Sequence, residues 1–443
     1  MRVVDNTRLV DEVYVRLTNL ASNDEDRIEA MLDRANDTRQ RGDVPDAAKL
    51  AEQAMALARD AGLIESEVKA TLYLSACVHQ MGDPHRAVGM MRSILPWFAE
   101  CGDPIAQGVF YNNYACCLDG IDEPDEAQRF HRRCEAIWIE LQNHGKAAQG
   151  GPNLAGSLGN CGRMAEALDV LVRAQRHALT LDSASGVGWN VEMLTFVMLR
   201  DLGRYADAQR VGELVMQSLP QSPPNVLAAH NHFALLWLHL GQHARARQSI
   251  EKGRGIAALP FTIARWHHLE GLLQLAMGGQ ARDSLNTAAE LAANAGRTVL
   301  QQMITLDVAL LLDPEDALAR CLEVRNRART IGYLGVALAA SARCARFAAA
   351  AGLRDVALVH AREALGPRPG IQPADLYPAE IWLDAALGFR AGGADDEAAA
   401  AVKAGVAWIE ETAAREVAEP LRSGFLERNA VNRALLTWPR RKS

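Results

Sequence analysis

Apolar side chains recur along this chain at i, i+3, i+4 and i+7, the spacing of one face of an α-helix. The sets Tyr111, Tyr114, Ala115, Leu118; His230, Phe233, Ala234, Trp237; and Trp382, Ala385, Ala386, Phe389 show it most clearly. Each carries a small third member, so the pattern predicts a helix that packs tightly along one stripe. A turn signal follows: a glycine with alanine five positions later. It occurs at Gly42/Ala47, Gly82/Ala87, Gly162/Ala167, Gly203/Ala208, Gly241/Ala246, Gly352/Ala357 and Gly393/Ala398, and more weakly at Gly279/Ser284. Asp122/Ala127 and Leu312/Ala317 keep the alanine and lose the glycine.

The glycine predicts a left-handed cap on a first helix, and acidic or proline residues after it open a second. The alanine falls early in that second helix, where a bulky side chain would hold the two helices apart. Seven residues on lie Ala54, Cys134, Ala174, Val215, Gly253, Ala364 and Gly405, small or modest in size as a close seam requires. Glycines 62, 102, 145, 296 and 332 stand where second helices should end. Alanines 47, 87, 127 and 167 are 40 residues apart, a period that signals stacked helix hairpins. The expected fold is all-α, a solenoid of about ten hairpins.

Composition agrees with helices. Hydrophobic residues make up 49% of the chain but aromatics only 5%, the balance being alanine and leucine. A net charge of −7 argues against a nucleic-acid or anionic-membrane binder, which would carry a basic face. The ending Pro439-Arg-Arg-Lys-Ser443 is too short to alter this. The first twenty residues have no apolar core of a signal peptide. The run from Gly335 to Gly352, the nearest approach to a membrane span, is broken by Arg343 and Arg346. A soluble, cytoplasmic protein is expected, with its eight scattered cysteines reduced.

Catalytic chemistry is not legible. No phosphate-binding Gly-x-x-x-x-Gly-Lys-Ser/Thr occurs, and Gly156-Ser-Leu-Gly159-Asn-Cys-Gly162 lacks both the preceding strand and the lysine. No Gly-x-Ser-x-Gly elbow or His-Glu-x-x-His helix is present. Six of twelve histidines fall between His230 and His268, but zinc asks for three or four convergent ligands. His239 and His243 straddle a turn, and His230 takes the packing place of Tyr111 and Trp382. No enzyme, cofactor or metal is expected. A metal-dependent enzyme would have to rest on this histidine segment alone.

An aromatic or apolar residue opening the first helix, a small residue four later, then Gly-x-x-x-x-Ala: over Asp26 to Ala413 this resembles the tetratricopeptide repeat family. The closing proline of that family is mostly missing, and units run nearer 40 residues than its usual 34. Longer units look like the C-terminal sensor region of bacterial activators of the LuxR/MalT type. The ending Glu419 to Leu436 is similar to the closing segment of such regions fused to ATPase, cyclase or activator modules. The resemblance implies a right-handed superhelix with an N-terminal capping helix at 1–25, the solenoid at 26–413, and a capping helix and basic tail at 414–443.

It further implies that a second stripe on the first helices, at i, i+3, i+7 and i+10, lines a concave groove. Amides recur on it at Asn112, Gln149, Asn190 and Asn231, each offering a donor and an acceptor to an extended peptide. Lys69, Arg265 and His268 lie on the same stripe. The expected function is a non-catalytic module that binds a peptide, protein or small inducer within bacterial signal transduction or transcription control. It would make no direct contact with nucleic acid or membrane. A structural adaptor in a multi-subunit assembly is the alternative.

Overall fold

The computed structural model describes residues 12–181, 187–220, 222–296, 298–367, 369–373 and 376–439. Helix accounts for 81% of the structure, and among the described residues there is no strand. No described helix is long and apolar enough to cross a membrane. The basic residues 440–443 and the first eleven of the expected N-terminal cap lie outside the described residues; 12–20 forms α1.

The chain divides into two compact units, Met1–Gln142 and Asn143–Ser443. The first holds three hairpins: α2 (Asp24–Gln40) with α3 (Val44–Asp60), α4 (Ile64–Gln80) with α5 (Pro84–Glu100), and α6 (Pro104–Asp119) with α7 (Pro124–Glu140). Local chemistry starts these helices. Asp83 accepts from the Arg86 N–H at 3.0 Å, Asp103 from Ile105 at 2.9 Å, and proline opens α5, α6 and α7. The second unit holds seven more. They are α8 (His144–Asn160) with α9 (Met164–Ala178), α10 (Val187–Asp201) with α11 (Tyr205–Gln217), and α12 (Pro223–His239) with α13 (His243–Gly253). Next come α14 (Pro260–Ala276) with α15 (Arg282–Asn294), and α16 (Thr298–Val308) with α17 (Pro314–Ile331). Last are α18 (Leu334–Ala350) with α19 (Arg354–Leu365), and α20 (Glu380–Ala391) with α21 (Asp395–Arg415). A short α22 (Glu419–Ser423), a π-turn (Gly424–Arg428) and α23 (Ala430–Leu436) close it.

The seam alanines Ala47, Ala87, Ala127, Ala167, Ala208, Ala246, Ala317 and Ala357 are all wholly buried. Within each unit successive first helices lie side by side, from α2 to α4 to α6 and from α8 through α20, whereas second helices make no comparable pairing. First helices therefore share one face and second helices the other.

Three turns are made otherwise than by the motif glycine, and at two of them, near Gly145 and Gly279, this departs from expectation. Gly145 sits inside the first turn of α8, and it is Gln142, at φ 53°, that ends the preceding segment. Asp122 takes φ 62° where glycine is missing, a conformation aspartate tolerates better than most side chains. At the weak copy, Gly278 rather than Gly279 is left-handed.

In the second unit three glycine turns are also docking points. The Gly162 carbonyl accepts from the Gln372 N–H at 2.8 Å, and the Gly335 N–H donates to Cys161 O at 3.2 Å. Gly203 lies against the Trp408 ring. Beside Gly241, Gln242 Nε2 donates to Leu421 O at 3.1 Å and Asn429 Nδ2 to His239 O at 3.0 Å. The C-terminal elements thus fold back onto the turns of α8/α9, α10/α11 and α12/α13.

Candidate functional site on the first helices

In the first unit the stripe Lys69, Leu72, Ala76, His79 on α4 continues as Val109, Asn112, Cys116, Asp119 on α6, because those helices are neighbours. Lys69 is exposed and bridges Glu65 one turn back at 2.9 Å, which raises its pKa above the ordinary lysine value. Leu72, Ala76, His79, Asn112 and Cys116 are half-buried. Asp119 is held by the buried His131 ring at 3.0 Å. Small, apolar and polar side chains alternate on a face open to solvent.

The second unit treats the same stripe differently. Gln149 and Asn190 are exposed on α8 and α10. Asn231 is not: its amide is buried and donates to Thr262 O on α14 at 3.0 Å. His268 is buried as well, with Asp307 Oδ2 2.8 Å from Nε2 and Arg265 Nη1 3.3 Å from Nδ1. The expectation that these residues form one solvent-facing row is corrected at Asn231 and His268, which are buried and bonded to neighbouring helices, while half-buried Arg265 turns to His268 on its own helix. A guanidinium can only donate, so His268 Nδ1 accepts and Nε2–H donates to Asp307.

From His268 the contacts run on through α16, α18 and α20. Asp307 Oδ1 accepts from Arg343 Nη2 at 3.3 Å. Arg343 Nη1 reaches Glu380 in a short contact and Asp384 Oδ2 at 3.5 Å, and Arg346 Nη1 bonds Asp384 Oδ1 at 3.3 Å. A related pair stands earlier, where the fully buried Arg200 bridges Asp201 at 2.6 Å and approaches His232 Nδ1 at 3.1 Å. Burial works against the Arg343 charge, yet Glu380, Asp384 and Asp307 outweigh it and hold the pKa above the ordinary arginine value. Burial raises the Asp384 pKa, against the opposing pull of Arg343 and Arg346.

This ladder was not read from the sequence, where each member looks like a lone charge on a separate helix. A signal existed. His268 to Asp307, Asp307 to Arg343, Arg343 to Glu380 and Arg346 to Asp384 are 39, 36, 37 and 38 residues apart, close to the repeat period. The histidine-rich segment disperses into separate structural roles. His239 packs edge-on against Tyr205 and Tyr377, with Tyr205 Oη 3.3 Å from Nδ1. Burial lowers the pKa of His230, His243 and His267, with Lys252 and Arg428 adding to the effect at the first two and Glu270 opposing it at His267. Among the described residues, no three His, Cys, Asp or Glu side chains converge as metal ligands would.

No protein-family model matches the chain, and no curated protein matches its sequence. Solved structures do. The apo form of the quorum sensor NprR from B. thuringiensis is similar at a TM-score of 0.53 and 11% identity, over 77% of this chain and 99% of that one. A Rap protein complexed with competence and sporulation factor gives 0.48 and 11%, over 88% and 99%. The human IFIT1 dimer with m7Gppp-AAAA gives 0.43 and 14%, over 86% and 90%. The likeness to NprR shows a shared fold, and at such low identity it shows the fold alone. With the stacked hairpins, it makes the chain a tetratricopeptide-like helical solenoid.

Proposed function

We propose that this chain is a non-catalytic binding module of the regulatory kind, taking an extended peptide or protein segment on the first-helix face of its N-terminal unit. One observation carries the reading. That face stays open and chemically mixed along α4 and α6, whereas its counterpart from α14 to α20 is filled by the chain's own ion pairs. Adjacent first helices stand about 10 Å apart, and an extended chain advances about 3.3 Å per residue. One side chain per helix therefore meets about every third residue of a ligand. Asn112 would bond its backbone, with Leu72 and Ala76 forming a shallow apolar floor. Lys69 would favour an acidic end. A quorum sensor sharing this fold supports a role in bacterial signalling. The test is peptide selection on the full chain, followed by titration of the selected sequences. Asn112→Ala and Ala76→Arg should each weaken binding at least tenfold with little change in melting temperature. Peptides indifferent to both variants, or binding of a capped RNA oligonucleotide in their place, would overturn the proposal.

A further inference from the structure

The 40-residue period lets each position of the α4/α5 hairpin be compared with its counterpart in α6/α7. Tyr111, Tyr114 and Phe130 fill the space between α5 and α7. Phe130 lies 5.4 Å from Tyr111 and 4.8 Å from Tyr114, ring centre to ring centre. Arg92 Nε donates to Tyr114 Oη at 3.2 Å, and the Arg133 guanidinium sits 5.5 Å over Phe130. Forty residues earlier those three positions are Thr71, Leu74 and Met90. Without the rings, a cleft of about 470 Å³ opens between α3 and α5, floored by α4.

We propose that this cleft receives an aromatic side chain from an acidic segment of a partner protein. The shape argument is internal to the fold, since rings occupy the counterpart of the cleft one hairpin on. Met55 and Met90 line the walls, and thioether sulfur makes favourable contacts with aromatic rings. The rim supplies the charge argument. Arg59 pairs with Glu67 at 2.8 Å and Arg86 with Glu52 at 3.3 Å, and both arginine side chains are more than half exposed, so these surface pairs are weak and a partner's carboxylates can take the place of either glutamate. Arginine at such a rim can stack on the ring and pair with carboxylates beside it. Exposed Ile64 extends the apolar wall. The cleft opens on a different side of α4 from Lys69, Leu72 and Ala76, so it stands independently of the face assigned above.

The probe is the peptide acetyl-Gly-Glu-Asp-Phe-Glu-Asp-Gly-amide, added to the full chain labelled with ¹³C at its methionine methyls. Ring currents should move the Met55 and Met90 signals saturably. Replacing the phenylalanine by alanine, or all four acids by lysine, should weaken the effect at least tenfold. Arg86→Glu should weaken it about fivefold without altering the melting curve. Thr71→Tyr with Met90→Phe, which rebuilds the filled counterpart, should abolish it, and Thr71→Tyr alone serves if the double variant fails to fold. Signals that move equally with the alanine peptide, that move only at other methionines, or that persist in the filled variant would overturn the assignment.

Discussion

Gly82 and Gly241 occupy the same position of the same motif, yet their replacement by alanine should have very different consequences. Both are left-handed, at φ 92° and 63°. An alanine at 82 would meet no atom within 4 Å, so only backbone strain is added, about 1 kcal/mol. At 241 the new Cβ would lie 2.1 Å from Gly424 O, 2.7 Å from its carbonyl carbon and 3.0 Å from Asn429 N. All three are backbone atoms, and rotating a side chain cannot relieve them. The C-terminal π-turn must withdraw, which strains the bonds from Gln242 to Leu421 O and from Asn429 to His239 O. A buried polar group left without its partner costs about 1–3 kcal/mol, so Gly241→Ala should lose roughly 3–5 kcal/mol in all. Denaturant titration of both variants measures the totals. Hydrogen exchange locates the damage, because repeat arrays can open in parts. Gly241→Ala should strip protection from Leu421 to Leu436, and Gly82→Ala should leave it intact. Equal losses, or equal protection at the C-terminus, would refute the argument that this turn is a docking point.

Other outcomes follow from the same contacts. Ala87→Leu and Ala167→Leu should each destabilise by ~1–3 kcal/mol in denaturant titration, since both seams are fully buried. His239→Ala should lower the melting temperature by several degrees and His267→Ala by far less, because His239 fills space between Tyr205 and Tyr377. The raised Asp384 pKa gives a signed pH dependence. In the folded state this carboxyl holds its proton more tightly than when unfolded, so its contribution is present at low pH and lost as pH rises through the folded pKa. Stability of Asp384→Asn relative to the parent should therefore improve between pH 4 and pH 7, on the order of 1 kcal/mol or more; a decline over that range would show that Arg343 and Arg346 outweigh burial.

What the sequence disclosed depended on whether a local rule governed the residue. Alanine every 40 residues is a packing requirement that recurs, so Ala47, Ala87, Ala127 and Ala167 are enough to locate the hairpins. At Asp122 the alanine five positions on still marks the turn, but the left-handed backbone is not itself legible, because a left-handed aspartate is written no differently from a helix-capping one. Gly145 misled for the converse reason: a glycine near a boundary need not be the residue that makes the turn. Asn231 and Asn190 stand on the same stripe, and only the approach of Thr262 distinguishes the buried amide from the exposed one. The ion ladder asks more, since its members meet only once the hairpins are stacked. Arg343 was legible as an interruption of an apolar run, but its three carboxylate partners lie a repeat away in both directions.

That ladder bears on which unit is suited to binding. Arg265, Arg343 and Arg346 match Asp307, Glu380 and Asp384 one for one, so the set is formally neutral, with His268 at one end making hydrogen bonds through both ring nitrogens. Desolvation makes such a set weak as a source of stability, while loss of a partner of buried Arg343 or Asp384 leaves a buried charge less well compensated. It therefore fixes how α14, α16, α18 and α20 sit against one another more than it holds them together. The turns at Gly162, Gly203 and Gly241, docked against the C-terminal elements, constrain the other hairpins of that unit. A ligand inserting among α14 to α20 would have to replace these buried ion pairs with contacts of its own. On the first-helix face of α4 and α6 the exchange is smaller, since the Lys69–Glu65 pair is exposed and weak. Covering half-exposed Leu72 and Ala76 removes apolar surface from water, and the part of that gain left after the cost of association and of desolvating Asn112 appears as affinity. The same reasoning applies to the cleft between α3 and α5, where smaller side chains at 71, 74 and 90 leave the contacts of an aromatic ring to be supplied from outside.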